Sequence, residues 1–232
     1  MIVVDEGEHL RVVTQPDHAR FAAELLSLWR TGDLPGHPRR EWLLFAVREH
    51  DNGWREADAA PTVDRTTGMP LDFLTMPPVV RCEIWRRGIE RYATRHPYTA
   101  LLIAEHVEAL NRPADALLEQ LFDAVQPQRN RWLVELGLDR FTVGRDYGWL
   151  RLADRLSLAL CSQGTDWLQN LGIRATLGSR CLELDPFPLA GATTFEIPVR
   201  RIPNRCYDGD TDLGVALARA RWSVERVRLV PI

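Results

Sequence analysis

Apolar side chains recur every three or four positions through the first two thirds of the chain, and every second position near its ends. Phe21, Ala22, Leu25, Leu26 and Trp29 predict a helix that opens at Asp17, after Pro16, and stops at Thr31–Gly36. A second helix is predicted from about Pro38 or Arg39 to Glu49, and others over about 78–94, 98–110, 113–137 and 147–161. Between them, Asp51 to Met76 is polar and irregular, with Gly53, Pro61, Gly68 and Pro70. A loop of that length is usually functional or disordered, and Trp54 and Phe73 speak against disorder. Alternation marks Ile2–Val4 and His9–Val13 as strands around a turn at Asp5–Glu8. After residue 170 it marks Cys181–Leu184, Thr194–Arg200 and Val227–Val230, interrupted by a short helix near 211–220. No internal repeat is visible. The expectation is a mainly α protein, one domain over 1–232. Its helical body spans about 15–170, and residues 1–14 and 180–232 build a small antiparallel sheet on its side.

Composition narrows the function classes. The chain has 232 residues, 45% of them hydrophobic and 26% charged, as in globular proteins that need no disulfide or metal to fold. A net charge of −3 argues against nucleic acid as a partner. No apolar run approaches the ~20 residues of a membrane span. The N-terminus turns acidic at Asp5-Glu6 with no basic region before it, so a secretory signal is not expected and the cytoplasm is. All 29 basic residues are Arg. Lysine chemistry is therefore excluded, and any bound anion must be held by Arg, backbone N–H or metal. Cys82, Cys161, Cys181 and Cys206 are widely spaced and form no CxxC pair, which suits buried thiols better than a zinc ribbon.

Five polar side chains interrupt four apolar stripes. His18 shares a face with Ala22, Leu25 and Trp29. His50 and Asp51 follow Leu43, Leu44 and Val47. His106 sits with Leu102 and with Ala109 or Leu110, and Asp154 with Leu150, Leu158 and Cys161. A single core histidine is ordinary. Three histidines and two aspartates on inward faces would be a costly core without a common partner, because buried carboxylates need pairing or a cation. A divalent metal supplies that partner, and mixed imidazole and carboxylate ligands suit Fe, Mn, Zn or Mg, as one or two ions.

This arrangement resembles the HD superfamily, whose signature is a His on one helix, a His-Asp pair ending another, and a distant Asp. Here these are His18, His50-Asp51 and Asp154, the last within Leu150-Arg-Leu-Ala-Asp154-Arg-Leu-Ser157-Leu. Other stretches resemble one uncharacterised bacterial family, domain-of-unknown-function family 3891. They are Gln15-Pro-Asp-His18-Ala, Glu49-His50-Asp51-Asn-Gly53-Trp54, Asp64, Thr67-Gly68-Met-Pro70-Leu-Asp-Phe73, Leu101-Leu-Ile-Ala-Glu-His106 and Asp185-Pro-Phe-Pro188. The HD resemblance implies an HD-domain-like helical bundle and a metal ion held by His18, His50, Asp51, Asp154 and His106. Two departures stand out. His18 and His50 are 32 positions apart, and only His96 and His106 are available as the two further histidines of two-metal HD enzymes. On one helix those two would stand roughly 15 Å apart, too far to share an ion.

What this implies is hydrolysis of a small phosphoester by a metal-activated water, with His106 and Asp51 as catalytic groups. Arg55, Trp54, Asp58 and His96 are the candidate substrate-binding residues, with Asp64 and Phe73 on the same long loop. The partner expected is a small-molecule substrate, with neither nucleic acid nor membrane, and a homodimer stays open. Two alternatives remain: a non-haem di-iron oxygenase of the HD type, and a non-catalytic binding protein stabilised by its metal.

Overall fold

The computed structural model describes residues 1–111 and 114–232. The chain opens on the predicted hairpin, β1 (Ile2–Asp5) and β2 (His9–Val13), and enters α1 (Gln15–Ser27). The cap of α1 is Thr14 rather than Asp17: its hydroxyl accepts from the Asp17 N–H at 3.2 Å. Then come α2 (Arg40–Glu49), a 3₁₀ turn at Asn52–Trp54 and the short α3 (Arg55–Ala59). The helices α4 (Pro78–Tyr92), α5 (Pro97–Leu110) and α6 (Ala116–Leu136) follow. The predicted start of α6 at 113 lies outside the described residues. The next helix, α7 (Arg140–Ser162), begins at residue 140 rather than 147. Gly144 and Gly148 thin its early apolar positions, while Asp139 caps it by accepting from the Thr142 N–H at 2.7 Å.

The C-terminal third departs furthest from expectation. It contributes β3 (Arg174–Gly178), β4 (Cys181–Asp185), β5 (Thr193–Pro203), α8 (Asp210–Arg219) and β6 (Ser223–Pro231). With the hairpin these form a single six-stranded sheet in the order β1-β2-β5-β6-β4-β3. β4 and β6 run parallel while the other pairs are antiparallel, so the sheet is mixed. It curls into a half-barrel in a chain that is 51% helix and 18% strand. A mainly α, HD-domain-like bundle with a small antiparallel side sheet is therefore not the fold; this is a substantial α/β architecture. The terminal segments do join, as expected, through Leu10 opposite Ile202.

The sheet is large because both of its faces are used. On one face Phe195, Ile197, Val199, Val227 and Leu229 share a core with α1, and the Phe21 and Phe195 rings meet edge to face at 5.5 Å. On the other, α8 lays Leu213 and Leu217 over Leu10, Val12 and Ile202. Hence β2 is buried at four consecutive positions instead of alternating. One of them is Arg11, whose charge is met by Glu225 of β6 at 2.9 Å. The first face fixes α1 against the sheet, and α2 and α7 pack on α1. Those helices carry the polar intrusions.

Candidate metal centre

Five side chains converge where α1, α2, α5 and α7 meet. His18 lies one turn into α1, and His50 caps the C-terminus of α2. Asp51 opens the 3₁₀ turn, His106 is on the last turns of α5, and Asp154 is central in α7. All five are between 0 and 5% exposed. His18 Nε2 stands 3.1 Å from Asp154 Oδ1 and 3.7 Å from Asp51 Oδ2. His50 Nε2 stands 3.3 Å from each of those oxygens. The His106 ring packs edge-on against His50 at 4.9 Å. Two overlapping groups, His18–His50–Asp51 and His50–His106–Asp154, could each hold a metal ion.

The far side of the His50 ring fixes where its hydrogen sits. His50 Nδ1 lies 2.7 Å from the Val47 carbonyl, an acceptor only, so that nitrogen carries a hydrogen. Ser157 Oγ lies 2.7 Å from His18 Nδ1 and 3.0 Å from the Asp154 carbonyl oxygen, and so holds the His18 ring against α7. A neutral His50 so anchored turns a bare Nε2 lone pair toward two carboxylate oxygens, acceptor against acceptor, while His18 Nε2 lies within hydrogen-bond distance of Asp154 Oδ1 at 3.1 Å. His50 Nε2 is buried and makes no hydrogen bond at all, despite standing 3.3 Å from both oxygens. Ligand atoms around a tetrahedral ion at 2.0–2.2 Å would be about 3.3–3.6 Å apart, and the four imidazole–carboxylate separations here, 3.1–3.7 Å, bracket that range.

Without a cation the centre must take up a proton. Burial works against charge on His50, but Asp51 and Asp154 outweigh it and raise its pKa well above the imidazole range. Burial likewise opposes ionisation of both aspartates, and the imidazoles outweigh it: His50 above all for Asp51, His18 and His50 for Asp154. Both carboxyls are held below the ordinary carboxylate range. His106 behaves differently. Its burial dominates and pushes its pKa down to about 4, so at neutral pH it is an uncharged imidazole.

The turn that carries Asp51 is clamped to α4. The Asn52 side-chain amide donates to the carbonyls of Glu49 at 2.8 Å and Gly88 at 3.1 Å, while Arg91 and Arg87 donate to the carbonyls of Asn52 and Gly53. Gly53 lets the two backbones touch: a Cβ there would lie 2.1 Å from the Ile84 carbonyl oxygen. Gly53→Ala is accordingly expected to push the turn off α4, costing about 3 kcal/mol and lowering Tm by roughly 6–12 °C. Thermal denaturation checks this, and an unchanged Tm would show that the turn yields freely.

A family model described as "Protein of unknown function (DUF3891)" matches residues 1–204. The chain belongs to this family. No curated protein and no solved structure matches it. In this DUF3891 chain the match takes in all five clustered side chains and most of the sheet, up to the end of β5.

A cavity of about 190 Å³ opens beside the cluster, with Asp51, His106 and Asp154 in its wall. Trp54 and Phe73 from the long loop line it, as the sequence suggests. Other expected substrate-side residues lie elsewhere. Arg55 is engaged by Glu49 at 2.5 Å. Asp58 is buried, pairs with the Met1 amino group and accepts from the Gln15 N–H at 2.6 Å. His96 stacks on Phe45 at 4.8 Å and borders a different cavity with Trp42 and Tyr98. Asp64 holds its own turn through the N–H groups of Thr66 and Thr67.

Several neighbours of the centre carry little or no signal in the sequence. Ser157 lies three residues after Asp154, so helical spacing alone places it on the same face. Tyr147 reaches His106 Nδ1 at 3.4 Å from a segment of α7 that precedes the apolar stripe. Trp85, Trp167 and Arg81 carry no signal that sets them apart in the sequence. No described helix is long and apolar enough to cross a membrane.

Proposed function

We propose that this protein is a metal-dependent hydrolase acting on a small phosphoester. In this reading His18, His50, Asp51 and Asp154 hold one divalent ion of the Fe, Mn, Zn or Mg class, with His106 beside them. The observation that carries it is His50: its Nδ1 is committed to a carbonyl, and its Nε2 faces two carboxylates without bonding to either. Acceptors gathered in this way call for a cation between them.

When bound, the ion would supply an acidified water as nucleophile and positive charge for a phosphoryl oxygen. The chain's own groups do the rest. Val47 and Ser157 orient the imidazoles of His50 and His18, the outer contacts that commonly raise ligand affinity ten- to a hundredfold. Asp51, on the cavity side, is placed to accept a proton from an attacking water. His106, uncharged at neutral pH, is suited to ligation or proton acceptance rather than to acting as an acid. The indole of Trp54 and the ring of Phe73 keep bulk water away from the reacting centre.

Protein purified without chelator should contain about one such metal per chain and turn over p-nitrophenyl phosphate when the matching ion is supplied. Failure to hydrolyse any simple phosphomonoester or phosphodiester with Mn, Zn, Fe or Mg would sink the hydrolase reading. Retained metal without turnover would then favour a binding protein, and two irons per chain an oxygenase.

A further inference from the structure

Besides the centre itself, the cavity wall contains one cation among the described residues, Arg81. It enters from the first turns of α4, which also supplies Trp85. Several nearby arginines are taken up by protein acceptors, and Arg151, which borders an adjoining cavity with Asp154, is exposed. Arg55 holds Glu49, Arg91 holds Glu56 and the Asn52 carbonyl, and Arg129 lies between Glu105 and Glu108. Arg81 is not: among the described residues it makes no ion pair and no side-chain hydrogen bond, and its Nε is buried without a partner. A guanidinium carries five donors in a planar fork that matches a carboxylate or phosphate, and leaving them unmet in a partly buried site is unfavourable.

Apart from Asn111 the remainder of the wall is apolar, built chiefly from Trp54, Phe73, Trp85, Leu110, Leu158 and Trp167. The indole N–H groups of Trp54 and Trp85 are also buried and lack acceptors. The residues lining the cavity thus include donors without acceptors as well as the acceptor-rich His–Asp centre. A ligand that answers both must present anionic oxygens, and its body must suit aromatic walls in a space of about 190 Å³. That space and those walls disfavour a polyphosphate or a highly hydroxylated sugar phosphate.

We infer that Arg81 holds the anionic group of the substrate, and that the pocket takes a compact phosphomonoester with an aromatic or apolar body. This rests on the hydrolase reading for the choice of phosphate as the anion. Because Asp51 and Asp154 face the same space, the anion enters only when the centre carries its cation.

The test is calorimetric titration of phenyl phosphate and inorganic phosphate into metal-loaded protein, wild type and Arg81→Gln. Metal content and Tm are measured on each. Wild type should bind phenyl phosphate at least about tenfold more tightly than inorganic phosphate. Arg81→Gln should weaken both by roughly ten- to a hundredfold with unchanged metal content, and Arg81→Lys should recover only part. Equal binding by wild type and Arg81→Gln overturns the assignment of Arg81. Binding of inorganic phosphate as tight as phenyl phosphate overturns the apolar body. Either result can occur while wild type still hydrolyses phosphoesters, leaving the hydrolase reading in place. Conversely, the expected binding pattern without any turnover would support Arg81 and remove the hydrolase.

Discussion

Asp154→Asn is expected to abolish stoichiometric metal binding, weakening affinity by at least about a hundredfold and turnover by roughly 10²–10³ or more. The carboxylate is the hub of the centre, since its Oδ1 faces both His18 Nε2 and His50 Nε2. An amide of the same shape keeps the packing but removes the charge that a hard or borderline cation needs. It also removes the charge that His18 and His50 answer, so the metal-free variant should melt several degrees below metal-free wild type while still unfolding in one cooperative transition. That comparison separates loss of the site from loss of the fold. Metal analysis and a melting curve on the same sample make the check, and a variant that keeps both its metal and its turnover would remove Asp154 from the centre.

Removing the cation from wild type by chelation should lower Tm by about 5–10 °C. Occupancy at a hundred times Kd is worth about 2.7 kcal/mol, and a chain of this length loses roughly 2–4 °C per kcal/mol. The size of the effect should depend on pH in a defined direction. His50 has a raised pKa in the metal-free protein, so its contribution to stability is complete below its unfolded value, about 6.5, and is lost as pH rises through the higher folded value. The aspartates act in the opposite sense. Their folded pKa values are lowered, so their contribution is present above about 3.8 and is lost as pH falls through the folded values. A metal displaces the His50 proton, so its apparent affinity rises by up to about tenfold per pH unit while that proton is bound. The gap in Tm between metal-loaded and chelated protein should therefore widen from about pH 6 to about pH 8, with one proton released per ion bound. A gap that stays constant over that range would show that no His50 proton is displaced.

The inward placement of the five polar residues is legible in the sequence because helical period is a local property. Residues three and four apart share a face whatever the helix packs against, so His18 with Ala22 and Leu25, or Asp154 with Leu150 and Leu158, point to the core. Their burial follows directly. The substrate side is not legible in the same way. Arg55 follows the His-Asp pair in sequence, yet the short helix after the turn carries it to Glu49. Arg81 is distinguished only by lacking an acceptor, which can be known only once every neighbouring carboxylate has been assigned elsewhere.

The sheet marks the same boundary from the other side. Alternation in Ile2–Val4, His9–Val13 and Thr194–Arg200 determined that strands form near both ends of the chain. It could not determine that they make one six-stranded mixed sheet with β4 parallel to β6, because strand partners and directions are chosen between distant segments by the faces they jointly bury. The sequence by itself thus determined which side chains turn inward and what chemistry they bring. Only the tertiary structure decided how large the sheet is, which imidazole nitrogens face the carboxylates, and that Arg81 stands in the cavity wall beside them with its Nε unpartnered. Periodicity acts over a few residues, whereas pairing and exclusion act across the whole folded chain.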